Sequence, residues 1–365
     1  MDMDELLADL AFSCAPGIGP QRYSIMRKVF GTSKRAFEAQ EQIILDNLPA
    51  HAAHSFIRFR QTCNPKKLLA EYQEKSIRVI NRSHPLYPPS LLQISDPPIC
   101  LYISSKLTDP ELVKVFSSVL VSIVGSRKHS SYGREITNTI AYDLAKNGVT
   151  IVSGMALGID AIAHMAALDA GGKTIAILGC GVDVIYPQEN EHLYKRICDS
   201  DSVILSEFAP GTQPIPGYFV ARNRLVAGIS RAVVIVEGTA KSGSLITARI
   251  AADQGKDVYA VPGQVSSPLS EAPLLLIKQG AHMVTEAGDI LGDFGMSTAQ
   301  GISKTPTFSD PLEQKIYEYI QIHRDIYPDE LAHALEVSIS QITTQISSME
   351  IRGLLTRTMT GALSL

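Results

Sequence analysis

The residues best able to do chemistry fall just after apolar runs. VSIVGSRKHSSYG, residues 121–133, reads as a buried strand entering a turn at Gly125, Ser126, Arg127 and Lys128. Gly125 allows a sharp turn, Ser126 and the backbone can donate to an oxyanion, and Arg127 offers a planar fork suited to phosphate. In SGMALGID, residues 153–160, Gly154 and Gly158 sit among small residues ahead of a helix. That pattern serves either phosphate binding at a helix N-terminus or close packing of helix on strand. Asp160 reads as a helix cap. GYFVARNRLVAG, residues 217–228, places Phe219, Arg222 and Arg224 within six positions. A ring for base stacking beside two guanidinium groups suits a nucleic-acid strand. A helix with a buried Phe and surface arginines satisfies the same pattern. GTAKSGSLITA, residues 238–248, sets Lys241, Ser242, Gly243 and Ser244 in a loop that opens a helix. This is phosphate-loop chemistry without the G-x-x-x-x-G-K-[ST] spacing. No separate pair of acids for Mg²⁺ accompanies it, which argues against nucleotide hydrolysis. Cys180, in the GCGVDVIYPQEN turn, lacks an adjacent base to activate a thiolate, and His164 reads as a packed helix residue. No residue is assigned to catalysis, and no metal or cofactor is expected.

A rhythm of short apolar runs must position these residues. VLVSIVG, TIVSG, KTIAILG, SVILSE, AVVIVE, DVYAVPG and HMVT alternate with helical stretches between 119 and about 293. Strands that are apolar on both faces and alternate with helices predict a doubly wound α/β domain around a mostly parallel sheet. Ligands of such sheets bind beyond the carboxyl ends of the strands, which is where the loops above fall. SIRVI and CLYIS predict two further strands, joined by the proline-rich HPLYPPSLLQISDPP, which is expected to wrap the domain. Residues 1–72 read as a helical domain. In it, MDELLADLAFSCA and QRYSIMRKVFG flank the Pro16–Pro20 turn PGIGP in a helix-hairpin-helix pattern. The turn serves either as a phosphate contact or as a plain loop between packed helices. Residues 73–294 form the α/β domain, and residues 295–306 a linker rich in Gly, Ser and Thr. Residues 307–365 predict three helices and a terminal hairpin, a winged-helix-like unit.

Bulk properties exclude several classes. The 365 residues carry a net charge of −4, so a strongly basic nucleic-acid binder is not visible globally. Residues 121–263 hold 13 Lys+Arg and 13 Asp+Glu, yet Arg127, Lys128, Arg222, Arg224 and Lys241 all fall on strand exits or loops. Most acids fall on helical stretches, with Glu207 and Glu237 as exceptions. A neutral domain with a basic mouth still attracts a phosphate backbone there. Residues 311–365 hold four Lys+Arg against seven Asp+Glu, which disfavours duplex binding and predicts a protein contact. Five scattered cysteines argue against a disulfide framework or zinc site. The acidic start and the lack of a run of about 18 apolar residues predict a cytoplasmic protein with no membrane contact.

Taken in order, VSIVGSRKHSSYG, IVSGMALGIDAIAHMAAL, GGKTIAILGCGVDVIYPQEN, ILSEFAPGTQPIPGYFVARNRLVAG, VVIVEGTAKSGSLITARIAADQGKDVYAVPG and LLIKQGAHMV resemble the DNA-processing protein A (DprA/Smf) family. The resemblance is dense from about 85 to 290. It implies an extended Rossmann-like domain that binds single-stranded DNA, usually as a homodimer, with helix-hairpin-helix or SAM-like and winged-helix-like accessory domains. It also implies protection of incoming strands in natural transformation. Loading of RecA recombinase onto strands covered by single-strand-binding protein is implied as well. The matching DNA-binding positions are Arg127, Phe219, Arg222, Arg224, Lys241 and Ser242–Ser244, with Gly125, Ser126, Lys128 and Gly154 around them. One stretch departs from the family pattern. Ala272-Pro273-Leu274 stands where a Gly-x-Asn is usual. The rival reading is a related Rossmann-like enzyme that binds small nucleotides or hydrolyses nucleoside monophosphates. Its P-G-G-x-G-T turn is met here only by VEGTAKSG, without the Pro-Gly-Gly start.

Overall fold

The computed structural model of the chain describes residues 2–296, 308, 310–323, 326–352, 354–357 and 362–364. Among them two compact units separate, Met1–Met296 and Ser297–Leu365. The linker expected at 295–306 lies almost wholly outside the described residues. No helix among the described residues is long and apolar enough to cross a membrane.

All nine expected strands of the larger unit form one sheet. They are β1 (Ile77–Asn81), β2 (Cys100–Ser104), β3 (Leu120–Val124), β4 (Thr150–Ser153), β5 (Thr174–Ile177), β6 (Val203–Ser206), β7 (Ala232–Ile235), β8 (Asp257–Ala260) and β9 (His282–Met283). Their order is β1-β2-β6-β5-β4-β3-β7-β8-β9. Neighbours from β6 to β9 are parallel. β2 joins β6 antiparallel, and β1 joins β2 antiparallel, extending the sheet at one edge. Every residue of β3, β4, β5, β6 and β7 is buried, as strands covered by helices on both faces require. The chain builds outward from β3 to β6, then returns to place β7 on the other side of β3. This reversal leaves a crevice between the carboxyl ends of β3 and β7, the topological switch point of an α/β sheet.

A polar residue inside a buried strand needs a partner. Ser122 in β3 finds two, donating to the Val226 carbonyl at 2.7 Å and meeting the Ser230 hydroxyl at 2.7 Å. Those bonds fix the end of the helix Pro216–Ile229, whose start carries Phe219. The proline-rich connection wraps the sheet as expected. Leu86, Tyr87, Leu91 and Ile94 are buried in one core with β3, β5 and β7 residues.

The boundary expected at 72 is not a domain boundary. The N-terminal helices form as anticipated, Met3–Cys14 and Pro20–Phe30 among them. Their apolar faces, however, share a core with Tyr102, Ala176, Leu178 and Ile204 of the sheet region. A buried polar cluster adds to the junction. Asp9 accepts from Tyr23 Oη at 2.6 Å, from Ser33, and from Asn81 Nδ2 of β1 at 2.8 Å. Burial pushes the Asp9 carboxyl above its usual range, and these three donors pull it back.

The smaller unit holds helices Pro311–His323, Pro328–Ala334 and Ile339–Ile351, then the antiparallel pair β10 (Thr356–Arg357) and β11 (Leu363–Ser364). Ile326 bridges to Leu363. Ile316, Ile320, Leu331, Ile342, Ile346 and Met349 make its core. Three helices and a ribbon in this order are the winged-helix arrangement expected.

Removing Asp9 tests the junction. The Asp9→Ala change orphans three buried donors and should cost about 2–4 kcal/mol. Urea unfolding should show a lower midpoint, and an unchanged midpoint would contradict the role given to this cluster.

Candidate nucleic-acid interface

The crevice between β3 and β7 opens into a cleft of about 600 Å³. Its walls come from the loop after β3, the start of the helix Pro216–Ile229 and the first turn of the helix Gly243–Asp253. Gly125, Ser126, Arg127, Lys128, Phe219, Ser242, Gly243 and Ser244 all line it. The sequence scatters these residues over more than a hundred positions, and the switch point gathers them.

Each loop is held by backbone and buried polar contacts. The Ser126 hydroxyl turns back into its own loop, donating to the Lys128 carbonyl at 2.8 Å and accepting from the Lys128 N–H at 3.1 Å. That local bond turns the Arg127 and Lys128 side chains outward, where both are exposed. Glu237, at the exit of β7, is 4% exposed and spends both oxygens on Ser130, the N-cap of the helix Ser131–Lys146 that follows β3. Gly133 leaves the space this carboxylate fills, because a Cβ there would lie 2.2 Å from Oε2. Ser242 caps its helix by accepting from the Ser244 N–H. Lys241 stands exposed beside that cap. Arg127, Lys128 and Lys241 have no ion-pair partner among the described residues, so their charge faces solvent.

Phe219 forms an aromatic platform beside the cleft. Its ring packs close over Gly179, where any Cβ would sit 2.7 Å from the ring edge. Tyr186 stacks on it at 5.2 Å between centroids, and the Arg127 guanidinium lies over it at 5.8 Å. Sequence reasoning quoted the stretch containing Tyr186 but did not single out this ring. Its 40% exposure beside Phe219 marks it as part of the platform.

Three expected contact residues are spent on the protein instead. Arg222 is 4% exposed, and its Nη1 donates to the carbonyls of Gly154 and Ile177. Gly154 also donates its N–H to Asp160 Oδ2 at 3.1 Å, so both of its backbone polar groups are occupied. A Cβ on Gly154 would lie 2.0 Å from Arg222 Nη1, so this glycine makes room for a side chain rather than for a phosphate. Asp160 is not a helix cap. It is buried, with its carboxyl pushed up by burial and pulled down chiefly by Arg222. Arg224 departs in the other direction, pairing with Asp96 at 3.0 Å and with Glu207. Gly158, at φ +80°, would place a Cβ 2.4 Å from the Ser126 carbonyl oxygen, so it too serves close packing.

The remaining candidates are inert in this geometry. Cys180 is buried, its thiol pushed up to about 11 by burial. His164 is fully buried against Thr174 Oγ1 at 2.6 Å, with its imidazole held neutral down to about 3 by burial. The departure at Ala272-Pro273-Leu274 is structural. Ala272 and Pro273 are buried, and the Ala272 N–H donates to the Gly238 carbonyl at 2.9 Å, bracing the β7 loop from behind.

This division of labour predicts two different outcomes. Arg222→Ala should lower the melting temperature by several degrees, because it strands two buried carbonyls. Arg127→Ala should leave the melting temperature unchanged. Thermal unfolding of both variants checks this.

Comparison with known proteins agrees with the resemblance read from the motifs. The family model for DNA recombination-mediator protein A matches residues 78–295. Protein Smf of Synechocystis sp. is 36% identical over 309 residues, covering 84% of this chain and 75% of that one. DNA processing protein DprA of Streptococcus pneumoniae is 43% identical over 208 residues, covering 57% of this chain and 71% of that one. The crystal structure of the Streptococcus pneumoniae protein superposes with a TM-score of 0.69 at 33% identity, over 80% of this chain and 98% of that one. DNA processing protein A of Helicobacter pylori, solved to explain its single-stranded DNA binding mode, gives a TM-score of 0.53 at 32% identity, over 60% and 95% of the two chains. The chain belongs to the DNA recombination-mediator protein A family.

Proposed function

We propose that the cleft between β3 and β7 binds single-stranded DNA without chemical change to the strand. The observation that carries this reading is the pairing of outward, unneutralised cations with an exposed aromatic platform. Arg127 lies over Phe219, and Tyr186 stacks on the same ring. Lys128, Lys241 and the first turn of the helix Gly243–Asp253 surround them. Rings accept any base face, and cations with helix N-termini accept phosphates, so the site tolerates sequence. Carboxylates around the cleft are committed to the chain itself, Glu237 to Ser130, Asp160 to the Gly154 N–H and Glu271 to the Ala240 N–H. That leaves the outward charge cationic and favours holding a strand over general acid–base work on one. In this reading Arg127, Lys128, Phe219 and Lys241 touch the strand, while Arg222, Arg224 and Gly154 position the loops.

The wider role we infer is a recombination mediator in DNA processing and transformation. It would protect single strands as a homodimer and pass them to a RecA-type recombinase in the presence of single-strand-binding protein. The likeness to the Helicobacter pylori protein, solved for its single-stranded DNA binding mode, supports strand binding. The later steps rest on family membership.

Fluorescence anisotropy with a labelled oligo-dT tests the site. Arg127→Ala and Lys241→Ala should each weaken binding and flatten the log–log salt dependence by about 0.7 per lost phosphate contact. An excess of duplex should not compete. Affinity and salt slope unchanged in both variants would refute the proposal. Base release from nucleoside monophosphates that is lost in Arg127→Ala would favour a small-nucleotide enzyme instead.

A further inference from the structure

Arg222 and Arg224 are both spent on the protein, and Asn223 between them is not. It lies one helical turn beyond Phe219 and Val220 on the helix Pro216–Ile229, and it lines the cleft with them. Its carboxamide makes no hydrogen bond to any described residue. The residue is half-buried, yet its amide oxygen and nitrogen both keep contact with solvent. A helix held at both ends of the site therefore presents an accessible donor beside an accessible acceptor, and neither has a duty in the fold.

Two exposed apolar side chains line the same cleft. Val220 is 52% exposed, and Ile246, on the helix Gly243–Asp253, is 40% exposed. The two helices pack against each other. Wet valine and isoleucine side chains in a concave site gain from contact with an apolar ligand surface. A phosphate gains nothing from them, because it needs donors or cations. A base has the matching form, two apolar faces and one polar edge.

The polar edge sets a second condition. Adenine and cytosine place an amine beside a ring nitrogen, and guanine and thymine place a ring N–H beside a carbonyl oxygen. Every Watson–Crick edge thus offers one donor next to one acceptor. A carboxamide, with its NH₂ beside its C=O, meets any of them. In a duplex that edge is already taken by the partner base.

We propose that Asn223 holds the Watson–Crick edge of one base of the bound strand. The base lies against Val220 and Ile246, with its flanking phosphates toward Arg127, Lys128 and Lys241. Such a contact tolerates any sequence and requires an unpaired strand, which makes Asn223 the residue that separates single strands from duplex. This assignment rests on the single-strand reading of the cleft.

Fluorescence anisotropy with oligo-dT and with an N3-methylthymidine strand of the same length tests it. The methyl group blocks the edge and leaves the ring faces and phosphates in place. The wild-type chain should prefer oligo-dT by roughly fivefold, the scale of one hydrogen bond. Asn223→Ala and the near-isosteric Asn223→Leu should bind the two strands equally. Both should keep the wild-type salt slope, since no phosphate contact is lost, and the wild-type melting temperature, since the amide has no partner to lose. A preference for oligo-dT that persists in both variants would overturn the proposal, as would equal binding of the two strands by the wild type. Failure of the cleft reading is separate, because it shows as oligo-dT affinity and salt slope that ignore Arg127→Ala.

Discussion

The guanidinium of Arg222 sits inside the protein between the carbonyls of Gly154 and Ile177, facing the buried Asp160. Ile177 ends β5, and Gly154 follows β4, so one side chain ties together two neighbouring strand exits. Asp160 reaches the Gly154 N–H from the helix Ile159–Asp169, bringing a third element to the same point. Removing the guanidinium would leave two buried carbonyls without their donor, a cost of roughly 1–3 kcal/mol each. The geometry of the mouth therefore depends on this interaction. Phe219 lies three residues before Arg222 on one helix, a spacing that puts both on the same side. Holding Arg222 holds the Phe219 ring over Gly179, and with it the stack that includes Arg127 and Tyr186.

Electrostatics follow from which charges turn inward. The central segment carries equal numbers of acids and bases, and a neutral domain has no general pull on a polyanion. Glu207, Glu237 and Asp160 are drawn into the protein, each against a donor or cation of the chain. Arg127, Lys128 and Lys241 face outward without a paired acid among the described residues. The mouth gains a local positive potential from the direction of its side chains, with no excess of basic residues. Such a potential is screened over about 10 Å at moderate salt, which is why it acts only on a ligand already at the sheet edge.

Much of this was legible in the sequence, and the remainder was hidden for physical reasons. The central strands β3 to β7 could be read from runs of apolar residues, because burial on both faces leaves no other pattern. Which loops meet also followed, since parallel strands bring all their exits to one edge. The direction of Arg222 and Arg224 did not follow. Both sit on a helix at the cleft, and only the depth of the pocket between β4 and β5 decides that Arg222 points in. Arg224 was hidden by its partners, since Asp96 and Glu207 lie 128 and 17 positions away in the chain. The boundary near residue 72 was misread for a related reason. A run of amphipathic helices looks self-sufficient until its apolar face is found to cover β2 and β6.

The turn after β3 offers Gly-Ser-Arg where a dinucleotide fold offers Gly-x-Gly, and the packing explains the exchange. In a dinucleotide site, the helix after such a turn keeps its N-terminal N–H groups open for a pyrophosphate. Here the helix after the turn, Ser131–Lys146, is closed by the Ser130 hydroxyl accepting from the Gly133 N–H at 3.0 Å, and the first N–H of the neighbouring helix after β4, Ile159–Asp169, is taken by the Ser126 carbonyl at 3.2 Å. Gly158 lets the Ser126 and Arg127 backbone press into the space a ligand would need. That helix start is sealed by protein, and the open one lies across the cleft at Gly243, capped only by Ser242. The helix start that stays open has moved outward, from the floor of the crevice to its rim, across the cleft from Arg127. A floor site encloses one compact pyrophosphate. A rim site has room for a chain of phosphates in the reading proposed above, which is the shape of ligand that a continuous strand presents.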